Sequence, residues 1–293
     1  MTRKALSVGE LKINDSRCIR CQRCVKICLA GIFYEENGRI CTRNESSCIF
    51  CGHCVAVCPK EAIEHDAFPN GSVQPFSLAD LPSPEQLMLL IKSRRSNRAF
   101  SGKEIPEESF RMIMAAAAAA PTAQNSRDVH FVLVRKPETL RAVTEYTLDS
   151  FMKVVRLLDN RFMRMLLGRK LAGVYKLIPK FKEMYRRFHA GEGDMILRDA
   201  KAVLFIYSSE KSRFGAADCN LAYQNASLMA ESLGVAQFYT GFVLAALERD
   251  KKGRLNSILG LRNVKIHAGM ALAVPEFRMG KYVDRNNFDC IEL

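Results

Sequence analysis

The chain has 293 residues, 48% of them apolar, and a formal net charge of +13. That length allows about two domains with proper cores, and no segment approaches the roughly 18 consecutive apolar residues of a membrane span. The opening Met-Thr-Arg-Lys-Ala-Leu-Ser lacks the apolar stretch of a secretion signal, so a cytoplasmic location is expected.

In chain order, Leu-Lys-Ile-Asn at 11–14 alternates like a short strand. Nine of the eleven cysteines then fall between positions 18 and 58. Cys18, Cys21, Cys24 and Cys28 form one C-x2-C-x2-C-x3-C run, and Cys48, Cys51, Cys54 and Cys58 form another, closed by Pro59. This is the ligand spacing of two-cluster iron–sulfur proteins, in which the fourth thiolate of each run serves the other cube. Cys18, Cys21, Cys24 and Cys58 are accordingly assigned to one [4Fe–4S] cluster, and Cys48, Cys51, Cys54 and Cys28 to the other. A disulfide framework would call for an oxidising compartment, and structural zinc usually takes a single four-ligand set. Oxygen-sensitive clusters suit a reducing cytoplasm and an anaerobic host. The stretch resembles the bacterial dicluster ferredoxins. Cys41 reads as a strand residue, Cys219 and Cys290 as packed thiols, and His53 as a bystander off the ligand register.

The two runs differ in their neighbours. Arg17, Arg20, Arg23 and Lys26 stud the first, while Ile49, Phe50, Val55, Ala56 and Val57 surround the second. Charge and exposure both tune cluster potential. The basic run is therefore expected to face solvent and take electrons from an acidic donor, and the apolar run to pack inward. Ordinary solvated arginines remain the plain alternative.

Prolines and a glycine between 67 and 84 mark a linker. The expected division is 1–70 for the cluster domain, 71–84 for the linker and 85–293 for a second domain. Ser83-Pro84-Glu85-Gln86 reads as a capping box with proline at the first helical position, and Leu87, Leu90 and Ile91 give that helix an apolar face. It runs into Arg94-Arg95-Ser96-Asn97-Arg98-Ala99-Phe100. Guanidinium forks and a hydroxyl at this density suit an anionic group, though an exposed basic helix end has the same composition. A helix from Pro106, with Phe110, Ile113 and Met114 on its apolar face, leads to Pro121-Thr-Ala-Gln-Asn125-Ser and a strand at 130–134.

This order of segments resembles the FMN-dependent nitroreductase family. The apolar strand at 202–207, the helix at 218–232, Leu233-Gly234-Val235 reaching Thr240-Gly241, and the tail with Arg278 and Lys281 continue the resemblance over residues 86–285. It implies an α+β fold, with an N-terminal dicluster ferredoxin-like domain followed by a nitroreductase-like FMN domain, and a homodimer. It further implies that Arg94 and Ser96 lie at the FMN phosphate or ribityl chain, with Arg95 in the same cofactor-binding motif, and that Arg98 lies near flavin N1 and O2. Asn125 would bond the ring edge, Thr240 and Gly241 would sit in the turn facing N5, and Arg278 and Lys281 would reach the phosphate. Arg127-Asp128-Val129 and Ala273-Val274-Pro275 depart from the usual family residues, at the substrate side and flavin edge.

Residues 151–190 hold eleven Lys or Arg against Asp159 and Glu183 alone. They occupy the family's variable insert and read as amphipathic helices. Three readings stand: a helical lid with a solvated basic face, a site for an anionic substrate or acidic redox partner, and contact with an anionic membrane surface. Nucleic acid is not expected, since no recognition motif accompanies the charge. No phosphate-binding glycine loop or dinucleotide fingerprint occurs, which leaves NAD(P)H open because the family binds it without one. His130, His189 and Tyr239 are candidate proton donors, but no side chain need be catalytic where cofactors carry the redox chemistry.

The resulting expectation is an oxidoreductase with two [4Fe–4S] clusters and FMN. A low-potential donor (ferredoxin, flavodoxin or NAD(P)H) would supply electrons, and an electron-poor acceptor such as a nitroaromatic, quinone or activated alkene would receive them. The rival is an electron-transfer subunit with no small-molecule substrate. A third reading is unusual flavin-site chemistry, since the same fold also hosts dehalogenation and flavin breakdown.

Overall fold

A computed structural model describes residues 10–69, 71–285 and 289–293. The N-terminal heptapeptide and Asn70, the last residue of the expected cluster domain, lie outside them. The chain divides into two compact units, one reaching to Pro82 and including Ala123–Ser126, the other formed by Ser83–Thr122 and Arg127–Leu293.

In the first unit, each cysteine of the second run lies thirty positions after its counterpart, and the backbone repeats with it. Strand β1 (Leu11–Ile13) precedes helix α1 (Arg23–Ile27), β2 (Phe33–Glu36), β3 (Arg39–Thr42), helix α2 (His53–Val57) and β4 (Ile63–His65). β1 pairs antiparallel with β4, and β2 with β3. Left-handed residues recur at matching places: Arg20 and Phe50 (φ 58° and 53°), Gln22 and Gly52 (60° and 75°), Gly31 and Glu61 (63° and 48°). These turns reverse the chain around each short helix. Leu11, Ile32, Phe33, Ile40 and Ile63 bury a small core against which six of the cysteines pack.

The second unit opens with α3 (Pro84–Ser93), capped by a reciprocal Ser83–Gln86 box. Among the described residues its apolar face is left open: Leu87, Met88, Leu89 and Ile91 are 43–56% exposed. Helix α4 (Glu107–Ala118) buries Phe110, Ile113 and Ala117. Then come β5 (His130–Val134), α5 (Pro137–Leu158), α6 (Arg161–Leu167), α7 (Ala172–His189), β6 (Ala202–Ser209), α8 (Gly215–Ser232), β7 (Ala236–Tyr239), α9 (Gly241–Leu247), α10 (Arg254–Ile258) and β8 (Val264–Ala273). Among the described residues the strands form a four-stranded antiparallel sheet in the order β5-β6-β8-β7.

The run Ala-Val-Leu-Phe-Ile explains why β6 is central. Side chains alternate across a strand, and here both faces are covered. Ala202, Leu204 and Ile206 join α4 and α8 in one core, while Val203 and Phe205 join α5, α7 and α9 in the other. All five are fully buried, each contributing about 1.5–3 kcal/mol when the side chain is Val-sized or larger.

The basic stretch does not begin at an element boundary. Position 151 lies inside the 22-residue helix α5. Phe151, Val155 and Leu158, with Ile178, Phe181, Met184 and Phe188 of α7, are buried in the main core. The basic residues occupy the other side of helices whose apolar side is structural.

Candidate functional site

The first unit gathers its thiols into two quartets. Cys18, Cys21, Cys24 and Cys58 line one cavity, walled by Ile13, Ile40 and Ile63. Cys28, Cys48, Cys51 and Cys54 line another, walled by Leu11, Ile32, Phe33 and His65. The crossing arises because Cys28 and Cys58 each follow the end of a short helix, where the chain turns extended. Backbone amides donate to both crossing thiols, Ile32 N–H to Cys28 Sγ (3.4 Å) and Ala62 N–H to Cys58 Sγ (3.2 Å).

The chemistry of these thiols fits an iron–sulfur cube. Burial pushes Cys24 and Cys48 above the ordinary thiol range, and Cys54 up to about 11. As free thiols they would hold their protons; bound to metal they deprotonate, so loading releases protons. Among the described residues no three His, Cys, Asp or Glu side chains converge as they would on a single ion. The quartets surround a space instead, which is what a cube needs and a zinc ion does not.

His65 was not singled out by the sequence. It is 6% exposed, and its Nε2 lies 3.6 Å from Cys48 Sγ. Burial holds its pKa below the usual range. Asn125, in the short Ala123–Ser126 segment of this unit, donates its amide to the carbonyls of Ile49 (2.9 Å) and Phe50 (2.8 Å).

In the second unit, three separate stretches of sequence meet. Helix α3 stops at Arg94, whose extended backbone (φ −55°, ψ 124°) leads the basic segment off the helix. Ser96 then bridges Gln237 of β7, and Phe100 bridges Pro275 beyond β8. Backbone bonds from Ser101 N to Val274 O and from Glu276 N to Ala99 O, both 2.9 Å, lock that edge. Residues 94–101, the β7 turn and the start of the tail therefore form one surface.

Two openings lie on it. A cleft of about 400 Å³ is lined by Arg98, Thr240 and Gly241, and also by Tyr239, Phe242 and Arg198. The Arg98 guanidinium lies 5.2 Å over the Phe238 ring and donates to Ser96 O. A smaller cavity of about 100 Å³ collects Ser93, Arg95, Asn97, Gly234, Arg278 and Glu231. Burial raises the Glu231 carboxyl, with Arg94, Arg278 and the Arg95 backbone pulling the other way. Buried beside these openings, Gln237 Nε2 and Thr240 Oγ1 have no partner among the described residues. A basic pocket next to a cleft that combines aromatic rings with arginines and has unsatisfied polar atoms beside it suits a planar ligand bearing a phosphate.

Several expected residues have other partners or lie elsewhere. Arg95 Nη1 donates to the carbonyls of Lys92 and Arg94, and Nη2 to that of Val283, so its fork braces the helix end and tail. Lys281 is exposed on the tail. His130 pairs with Asp128 at 3.1 Å, and His189 packs tilted against Tyr185 (ring centroids 4.2 Å, 52°); neither lines the cleft. Tyr239 does, but its hydroxyl is held by Asn220 Oδ1 and His267 O, each at 3.1 Å. Met195, Ile196 and Arg198 of the cleft were missed. They follow Asp194, whose carboxylate takes the N–H groups of Ile196 and Leu197 and the Thr144 hydroxyl, and no local motif announces that anchor.

Residues 17–63 match the model of the 4Fe-4S dicluster domain, and residues 91–274 that of the nitroreductase family. A relative from Archaeoglobus fulgidus, provisionally named NADH dehydrogenase/NAD(P)H nitroreductase, is 24% identical over 207 residues, 70% of this chain and 94% of that protein. The fold is shared with a nitroreductase of Bacteroides fragilis solved with bound FMN (TM-score 0.52, 23% identity, 71% of this chain and 99% of that one). It is also shared with an FMN-bound nitroreductase of Desulfitobacterium hafniense (TM-score 0.52, 17% identity, 70% and 97%). With the family match spanning more than half of its length, the chain belongs to the nitroreductase family.

Proposed function

We propose that this protein is an iron–sulfur flavoprotein oxidoreductase, taking electrons from a low-potential donor and reducing an electron-poor small molecule such as a nitroaromatic, quinone or activated alkene. The observation that carries the reading is the sorting of eight thiols into two quartets in a chain of the nitroreductase family. When bound, two [4Fe–4S] clusters would relay electrons singly and FMN would deliver them in pairs.

The chain's own residues would bind and orient. Arg278, Arg94 and Ser96 are the proposed phosphate and ribityl contacts, with Arg95 bracing them and Lys281 on the tail beside them. Arg98 would place positive charge near flavin N1 and O2, where it favours negative charge on the ring. The turn at Thr240 and Gly241 would face N5. A homodimer in a reducing cytoplasm, fed by ferredoxin, flavodoxin or NAD(P)H, completes the proposal; no described helix is long and apolar enough to cross a membrane.

Anaerobic isolation with metal, sulfide and flavin analysis tests it: about eight iron and one FMN per chain are expected. The reduced protein should then be reoxidised over many turnovers by members of an acceptor panel. Reoxidation by a protein partner alone would instead make it an electron-transfer subunit.

A further inference from the structure

His65 ends β4 and pairs with Leu11 of β1. Its ring is wedged edge-on between Phe50 (5.7 Å, 67°) and Phe68 (5.1 Å, 70°). The backbone N–H of Ala67 donates to its Nδ1 at 3.1 Å. A ring nitrogen that accepts carries no proton, so the neutral imidazole holds its proton on Nε2. That nitrogen is the one 3.6 Å from Cys48 Sγ. The same sulfur also takes the Phe50 backbone N–H at 3.4 Å. The arrangement has no equivalent in the other half of the repeat. Among the described residues no side chain donates to Cys18, Cys21, Cys24 or Cys58, and position 65 is matched thirty residues earlier by Glu35, an exposed carboxylate bonded to Gln22.

Hydrogen bonds to cluster sulfurs raise reduction potential, because they stabilise the extra negative charge of the reduced state. A buried donor held on both sides by aromatic rings does this more effectively than exposed arginines screened by solvent. We propose that His65 tunes the cluster held by Cys28, Cys48, Cys51 and Cys54, raising its potential through the Nε2–H bond to Cys48 and so drawing electrons toward it. With both clusters bound, the one held by Cys18, Cys21, Cys24 and Cys58 would give up one electron and its neighbour would gain it. The electron comes first from an external one-electron reductant. The inference rests on the cluster reading above.

The full-length holoprotein, wild type beside His65→Phe and His65→Gln, is titrated anaerobically against potential, with each reduced cluster followed by EPR. Phenylalanine keeps the aromatic wedge without a donor, and glutamine restores an N–H. The expected result is one midpoint displaced to lower potential in His65→Phe, the other in place, and partial recovery in His65→Gln. In the wild type labelled with isotopic histidine, pulsed EPR should show a nitrogen coupling to one cluster that is absent from both variants. Iron-replete variants with unmoved midpoints, or a wild type without that coupling, overturn the inference and leave the cluster reading standing. A wild type without iron overturns both.

Discussion

A Cβ at position 234 would lie 1.5 Å from Arg278 Nη2 and 2.2 Å from its Cζ, and the backbone there has φ +69°. Glycine at 234 therefore serves two ends, the left-handed turn after α8 and the seat of an arginine proposed to hold phosphate. Gly234→Ala should displace that guanidinium and weaken FMN binding while leaving the iron content unchanged. Arg278→Ala removes a charge-assisted hydrogen bond of about 1.5–3 kcal/mol, which corresponds to roughly ten- to hundred-fold in dissociation constant. Fluorescence titration of the stripped protein with FMN reads both, and full affinity in Arg278→Ala would remove Arg278 from the site. The sequence contained each half of this contact, in Leu233-Gly234-Val235 and in the basic tail, but not their meeting. His65 was illegible for the same reason, since its meaning depends on a thiol seventeen positions away and on an Ala67 amide that fixes its tautomer. Arg95 looked equivalent to Arg94 in the sequence; only the geometry commits its fork to backbone carbonyls.

At the scale of elements, the spacing of the cysteines carried most of the information. Helices α1 and α2 are five residues long and have no side-chain cap, too short to persist on their own. Their value is geometric: each sends its last cysteine to the opposite quartet. Pairs of substitutions test the crossing. If Cys28 belongs with Cys48, Cys51 and Cys54, then Cys21→Ala with Cys28→Ala should strip both clusters. Cys21→Ala with Cys58→Ala should strip one and leave about four iron. Pairing within each run predicts the opposite pattern, so iron analysis of the two double variants decides. The insert teaches the converse lesson. Counting charge marked residues 151–190, yet the buried period of Val143, Thr147, Phe151, Val155 and Leu158 runs unbroken through α5. Charge marks the solvent side of a helix, whereas its limits follow the buried side and its ends.

For the whole molecule, the net charge of +13 falls to about +9 once two clusters of roughly −2 each are bound. A field of that sign speeds encounter with anionic reductants and slows cationic ones, and salt erases both effects. Reduction by dithionite, an anion, should slow as ionic strength rises, while reduction by a viologen cation radical should quicken. Two basic regions compete as the source of the effect. Arg17, Arg20 and Arg23 flank the first cysteine run, and Arg161, Arg164 and Lys170 stand exposed at α6 and its end. Because steering acts most strongly where the electron enters, reversing the charge of Arg17, Arg20 and Arg23 should flatten or invert the dithionite dependence. The same reversal at Arg161, Arg164 and Lys170 should change it little. Stopped-flow traces of cluster bleaching, taken before electrons reach the flavin, separate the two variants. If the α6 variant alone loses the salt dependence, electrons do not enter beside Cys18, Cys21 and Cys24, and the insert has to be treated as the docking face of the donor.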